Sequence, residues 1–549
     1  MGKLKSILRL KAILKKYRIV IAAGLAGALL SSLLSTPVPY VIGHLLDKVL
    51  MGSKSYQRLY FYIGIIALLY ISQYIVSLVS KNLFVRVNNA TVNQLRYAVM
   101  DKMLNMPMSY LAATEKGYIQ GRLAECNTVG SLFSPAIVSI FLGLISAVLA
   151  IISMFIINYK MTFIVLVLTP VFFFTSKAST KGFMKNTKNL MESSAVLSGE
   201  SFEILNGIEE IKILNGKQKQ LQKFKNKMDE LIKFSIKQSR SMIMLLENIN
   251  LLNEAGNLII LLVSGIFILR GEFTIGLYTS FSLYIARVFG CTQGLATLST
   301  TLKPVFLSIE RIFELLDMED ENSGRDIKLE GEVERIEFRQ AGFHYKEDLA
   351  DVFENLNFSI EKGSRILLQG DNGSGKTTLI KLLLGLYQPT SGELLINGIN
   401  ASGINCDSIR QHFGIVSQNV FLFRGSVLEN ILYGQEVKGR GDVEDLISAM
   451  GLEDYIKRLP GGLDTDISQN TAGISGGQAQ IIAFIRAILS EKDVIILDEP
   501  ISNVDAETRT VVIDILKNYT FHGILLVISH QTEGFDFFTK VERLGKAAK

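Results

Sequence analysis

Gly370-Asp-Asn-Gly-Ser-Gly-Lys-Thr-Thr378 decides the fold of the carboxyl-terminal part of this chain because of what flanks it. Ahead of it, Arg365-Ile-Leu-Leu-Gln369 is an apolar run read as a strand, and behind it Leu379 opens a stretch read as a helix. A glycine-rich loop between a strand and a helix is where backbone amides turn inward on phosphate. The cradle comprises Gly370, Asn372, Gly373, Ser374, Gly375 and Thr378; Lys376 reaches the β and γ oxygens of a nucleotide, and Thr377 offers a hydroxyl to Mg2+.

A second apolar run, Val494-Ile-Ile-Leu, ends in Asp498 and Glu499. Parallel strands place their ligands at such carboxyl ends. Next to a phosphate loop, Asp498 is expected to hold Mg2+ and Glu499 to polarise an attacking water. Between the two motifs stands Ile474-Ser475-Gly476-Gly477-Gln478-Ala479-Gln480.

The first part of the chain reads differently. Of the 549 residues 48% are hydrophobic, and the mean hydropathy of +0.30 is too apolar for an ordinary soluble enzyme. Clear spanning candidates are Ile19 to Leu46, Leu59 to Val79, Phe133 to Ile157, and Met161 to Phe174 with its continuation. Asn257 to Leu269 and Ile275 to Leu302 are weaker; with them the number is six, which keeps both termini in the cytosol. Lysines crowd Lys177 to Lys237 but not the turns at Asn158 to Lys160 and Arg270 to Thr274, so the Lys-rich side is cytoplasmic. The polar stretches Lys81 to Arg122 and Lys177 to Arg240 read as membrane helices prolonged into the cytosol, with turns near Gly117 and Gly207.

The net charge is only +5 and no basic groove is visible, so no nucleic-acid partner is expected. Cys126, Cys291 and Cys406 fit no metal spacing and read as reduced thiols. Residues 1–17 mix lysines with leucines and isoleucines, which suits an amphipathic helix lying on the bilayer. An acidic stretch, Asp317 to Lys328, marks the change of character. The division expected is a transmembrane part at 1–320, a linker at 321–330 and a nucleotide-binding domain at 331–549.

Charged groups within spans are costly. Glu254 and Arg287 lie at comparable depths, roughly 24 and 18 Å from their nearer helix ends at Arg270 and Ile275. With Gln293, Asn250 and Asn253 they form either a polar substrate cavity, or a structural ion pair or groups facing cytosolic water.

Residues 474 to 478 are similar to the LSGGQ signature of ABC transporters, with Ile474 for the first Leu. Together with the two motifs above, they identify the chain as a member of the ABC superfamily. Its order, membrane part first, resembles a half-transporter of the type IV, ABC-B-like exporter class. The resemblance implies an all-α bundle of six long helices followed by an α/β P-loop ATPase with antiparallel and helical subdomains.

Residue by residue, it implies that Tyr345 stacks on adenine, that Gln418 contacts Mg2+, that Asp505 belongs to the D-loop and that His530 is the switch histidine at the γ-phosphate. Ser475, Gly476, Gly477 and Gln478 would face ATP held by another chain, so a dimer, expected to be a homodimer, is implied. ATP-bound closure would pull on coupling helices near Gly117 to Ala124 and Asn206 to Leu214. Ser468-Gln469-Asn470-Thr471, Asn503 and Val504 depart from the family pattern without removing a catalytic group.

The stretch after His530, with Phe535-Asp536, resembles exporters of cyclic or modified peptides. A small peptide or amphipathic natural product is therefore the expected cargo, with lipid flipping or multidrug efflux as the alternative. An ATP-gated channel, or an ABC ATPase outside transport, is the remaining class. With no peptidase segment ahead of Met1, a leader-cleaving exporter is not expected.

Overall fold

The computed structural model describes residues 9, 14–114, 116–346, 349–371, 373–467, 474–502, 504–518, 520–530, 535–538 and 540–544. Side chains are described at all of these except 116–118, 168–169, 171–173, 175–181, 195, 292–293, 295–297 and 299–301. Two compact units emerge, one of residues 1–101 and 117–317, the other of residues 102–116 and 318–549. The segment 102–116, expected with the membrane part, thus belongs to the second unit. There Asn105 O accepts from Glu321 N at 2.8 Å and Lys102 pairs with Asp320 at 2.5 Å.

The first unit is helical. Four stretches among the described residues are long and apolar enough to cross a membrane: Lys15–Ser53, Tyr56–Leu104, Ile119–Ile157 and Lys217–Leu269. The helices Tyr159–Asn206 and Ile275–Leu316 accompany them. Tyr56–Leu104 has 49 residues and Lys217–Leu269 has 53, about 74 and 80 Å, more than twice a hydrocarbon core of about 30 Å. Each therefore runs on well beyond lipid, as the polar stretches predict.

Short helices interrupt these rods. Ile208–Ile213 follows Gly207 where a turn is expected. The other short helix is Met108–Ala113, bracketed by Pro107 and Thr114, whereas Gly117 to Ala124 lies inside the longer Lys116–Gly130 helix. The physical reason is Pro107, whose missing N–H and fixed φ start a new helix ten residues before Gly117.

The first span is broken. Arg18–Ser35 stops ahead of Pro37 and Pro39, Val38–His44 resumes, and Leu45–Ser53 is wound in the wider π form. Its buried face is made of small residues, Gly24, Ala28, Ser31, Ser32 and Ser35, which lets neighbouring backbones approach. Ser80 Oγ reaches Gly24 O at 2.7 Å.

The Ile275 end of the last helix is tied to this span. Asp47 Oδ1 accepts from Gly276 N at 2.8 Å and its Oδ2 from Thr274 Oγ1 at 2.5 Å, a carboxylate at the positive end of a helix. Gly43 and Gly276 touch backbone to backbone. A Cβ on Gly43 would stand 2.4 Å from Gly276 O, and one on Gly276 would stand 2.2 Å from Gly43 O. Phe281, Tyr284, Ile285 and Phe289 fill the core behind this seam with Met154, Met161 and Ile260.

The second unit is built on a five-stranded parallel sheet, ordered Lys540–Arg543, Arg365–Gln369, Ile524–Ile528, Val494–Asp498, Phe413–Val416. Its central strands are buried on both faces, and alternate residues feed different cores. Leu367, Ile495, Leu497, Leu525 and Val527 pack under the helical region, which includes the Gly476–Leu489 helix. Ile366, Leu368, Ile496, Leu526 and Ile528 pack instead on the antiparallel sheet, ordered Phe353–Glu361, Arg335–Phe343, Ser391–Ile396, Ile399–Asn400.

Gly43→Ala, which cannot fit without separating the first span from the last helix, is expected to lower the thermal unfolding midpoint by several degrees. Asp47→Ala should cost about 1 kcal/mol as a lost cap. Scanning fluorimetry of the solubilised chain checks both.

Candidate active site

Four of the five parallel strands deliver chain to one edge of the sheet. Gln369 leads into the phosphate loop, Val416 toward Gln418, Asp498 into Glu499 and Ile528 toward His530. Parallel register alone therefore brings together groups far apart in sequence.

The loop from Gly370 is closed by its own lysine. Lys376 Nζ donates to Gly370 O at 2.6 Å and Asp371 O at 3.0 Å. Gly375 sits at φ +92°, and a Cβ there would stand 2.6 Å from Phe353 Cζ, so conformation and space both require glycine. Ser374 Oγ is buried without a hydrogen-bond partner, an orphan polar atom inside the cradle. Thr377 is exposed at the first turn of the Lys376–Leu383 helix, and Thr378 is buried. Asn372 lies outside the described residues.

Asp498 is buried, and desolvation, with the neighbouring charge of Glu499, pushes its pKa up to about 6 against the pull of Lys376. Glu499 takes the left-handed region at φ 49°, with its N–H held by Ile528 O at 2.8 Å. That turn aims its carboxylate between two residues from other strands: Gln418 Nε2 donates to Oε2 at 2.9 Å, and His530 Nδ1 stands 3.4 Å from Oε1. Ser502, at the start of the stretch that resembles the D-loop, caps the Glu499 carbonyl through N at 3.1 Å and Oγ at 3.0 Å.

Tyr345 is about two-fifths exposed, and its hydroxyl lies 3.0 Å from Thr378 Oγ1. Lys381 donates to that hydroxyl at 3.3 Å and also stands over the Tyr387 ring. Neither Lys381 nor Tyr387 was expected at the site; the only signal was Lys381 on the face of the phosphate-loop helix shared with Thr378.

Ser475 and Gln478 form a reciprocal cap on the Gly476–Leu489 helix, Ser475 N to Gln478 Oε1 at 2.8 Å and Gln478 N to Ser475 Oγ at 3.2 Å. Ser475 and Gly476 stay exposed. A Cβ on Gly477 would meet Thr508 Oγ1 at 2.9 Å and Asp505 Oδ2 at 3.0 Å. Asp505 accepts from Thr508 N and Oγ1, each at 2.8 Å, and these bonds hold its carboxyl below the usual range. Residues 468–473 and Asn503 lie outside the described residues.

Of the readings open for Glu254 and Arg287, the structural ion pair is not formed. Glu254 is exposed on its helix, while Arg287 donates from NH2 to Ser35 O at 2.8 Å and from NH1 to Ser35 Oγ at 3.4 Å. The cause is Pro39, which has no N–H for the Ser35 carbonyl. The Gln293 side chain lies outside the described residues. All three cysteines are free, with Cys126 and Cys406 buried.

The ABC transporter transmembrane region matches residues 21–292 and the ABC transporter family model residues 353–502. This chain belongs to the ABC transporters, with the membrane region fused ahead of the ATPase. It is 28% identical over 537 residues to the transport/processing ATP-binding protein ComA of Streptococcus pneumoniae, covering 95% of this chain and 73% of that protein. A multidrug resistance ABC transporter ATP-binding and permease protein of Lactococcus lactis is 26% identical, over 96% of this chain and 89% of its own length. The ATP-dependent lipid A-core flippase of Photobacterium profundum is 27% identical, over 81% of this chain and 76% of its own length. The chain is thus a multi-pass membrane protein, an exporter of the half-transporter kind that binds and hydrolyses ATP with a cytosolic ATPase domain. Half-transporters of this family dimerise.

Ionising buried Asp498 works against the fold by roughly 3 kcal/mol at neutral pH. The cost is full above about 6 and is relieved as pH falls toward the ordinary carboxylate range. Asp498→Asn is therefore expected to raise the nucleotide-free thermal midpoint at pH 7.5, with the gap to wild type narrowing to about a third by pH 4.5.

Proposed function

We propose that this chain works as a homodimer that exports a small peptide or similar amphipathic natural product across the cytoplasmic membrane. The observation that carries the engine is the carboxylate of Glu499, held between Gln418 and His530 beside the phosphate loop. The domains run as 1–320 for membrane, with six spans and with 102–116 lent to the second unit, 321–330 for linker and 331–549 for ATPase.

ATP phosphates are bound by the amides of residues 370–378, by Lys376 on the β and γ oxygens and by the orphan Ser374 hydroxyl; the exposed Tyr345 ring takes the base. Thr377, Asp498 and the Oε1 end of Gln418 hold Mg2+, for which an exposed hydroxyl, a buried carboxylate and an amide oxygen are a fitting oxygen set. When bound, Mg2+ neutralises phosphate charge. Glu499 then orients water and accepts its proton, with Gln418 holding one carboxylate oxygen and His530 placed to meet the γ-phosphate.

Because Gln418 donates to Glu499 through Nε2, its other amide end is left to face a cation, so one side chain joins base to metal site. Ser475, Gly476, Gly477 and Gln478 serve the partner chain's ATP. The exposure of Ser475 and Gly476 at a capped helix start supports that role, and Asp505, packed on Gly477, positions them.

Cargo class rests on the relative named for transport and processing, since a processed cargo has bonds to cut. Relatives named for multidrug resistance and for flipping a lipid keep the second reading in view.

Glu499→Gln keeps the hydrogen-bonding shape but loses the base. It is expected to retain ATP affinity and to cut hydrolysis at least 100-fold, measured by nucleotide binding and phosphate release. Inside-out vesicles bearing this chain alone, supplied with ATP and a host-cell extract, are expected to accumulate peptides that Glu499→Gln vesicles do not. Accumulated lipids or drugs would move the reading to flipping or efflux, and no ATPase activity would overturn the homodimer.

A further inference from the structure

Arg287 repairs a broken helix with more charge than the repair needs. In an unbroken helix the Ser35 carbonyl accepts from the N–H of residue 39, which here is proline. Arg287 supplies the missing donor at 2.8 Å. One turn earlier, Tyr284 gives its hydroxyl to Thr36 O at 2.6 Å, so a neutral donor suffices for the adjoining carbonyl.

The guanidinium instead brings a full positive charge about 18 Å from Ile275, near the middle of a hydrocarbon core of about 30 Å. No carboxylate pairs with it among the described residues; it bonds to Ser35 and stands over the Tyr284 ring, at 5.9 Å, with Tyr70 also near. Glu254, the acidic group expected opposite it, is exposed elsewhere. Arg287 is half-buried, and two bonds to Ser35 leave guanidinium donors unused. The surroundings are polar but uncharged: Ser31, Ser32 and Ser35 are buried on the same helix, and Ser146 Oγ lies 3.2 Å from Ser32 Oγ.

A cation at this depth is retained where an anion meets it. We propose that Arg287 binds the carboxylate of an amphipathic cargo. The unused guanidinium edge takes the carboxylate, while the break keeps Arg287 oriented through Ser35. This assignment rests on the export reading and narrows it to cargo with an acidic group.

The test uses the full chain in phosphatidylcholine nanodiscs at pH 7.5, where the membrane carries no net charge. Two dansyl-labelled probes of equal chain length, an undecanoate and the corresponding undecanamide, are titrated and corrected for partition into empty discs. Wild type is expected to bind the carboxylate at least tenfold more tightly than the amide.

Arg287→Gln keeps a donor for Ser35 without the charge. It is expected to bind both probes with the affinity of the amide, while Arg287→Lys restores a preference for the carboxylate. Equal binding of the two probes by wild type overturns the proposal, and that comparison needs no variant to fold. A preference that survives in Arg287→Gln also overturns it. A preference with no ATP-driven accumulation in vesicles overturns export and leaves the anion site standing; accumulation with no preference does the reverse.

Discussion

The position of one carboxylate organises the ATP site. Glu499 can stand between Gln418 and His530 only because its backbone leaves the strand in the left-handed region, with its N–H held by Ile528 and its carbonyl by Ser502. A non-glycine residue there carries strain, which surrounding bonds must hold in place. The parallel register supplies the Ile528 bond, since Ile528 lies directly beside Asp498, and a local turn supplies the Ser502 bonds. Loss of that pairing would move Glu499, Gln418 and His530 relative to one another together.

The same edge explains why two adjacent acids behave differently. Asp498 is turned inward, and burial with a like charge beside it favours its proton. Glu499 is turned to where an amide N–H and an imidazole reach it. A single backbone step thus separates a group suited to a cation from one suited to a water molecule.

Much of this was legible in the sequence because the relevant signals are short and physical. The loop glycines mark a backbone no side chain could follow, and the four-residue apolar run before Asp498 can only be a strand covered on both faces. Hydropathy found four of the stretches that, among the described residues, are long and apolar enough to cross a membrane, because lipid allows few alternatives. It could not find the partner of Arg287, because equal depth says nothing of which helix faces which. The clue was Pro39, which orphans Ser35 whatever the fold, but the donor comes from a helix some 250 residues later in the chain. Pro107 likewise fixed a helix start that the search for a glycine turn overlooked. Tyr387 and Lys381 meet Tyr345 only after three elements have folded together.

The Asp47 carboxylate and the Gly43–Gly276 contact also bear on the order in which the chain is made. Residues near 47 leave the ribosome long before residues 274–276 exist, so during synthesis the π-wound end of the first span waits with an uncapped acid and a bare glycine surface. The membrane unit cannot close until residues 274–276 have been made. Chains that stall earlier therefore leave that surface without the partner that covers it in the finished transporter.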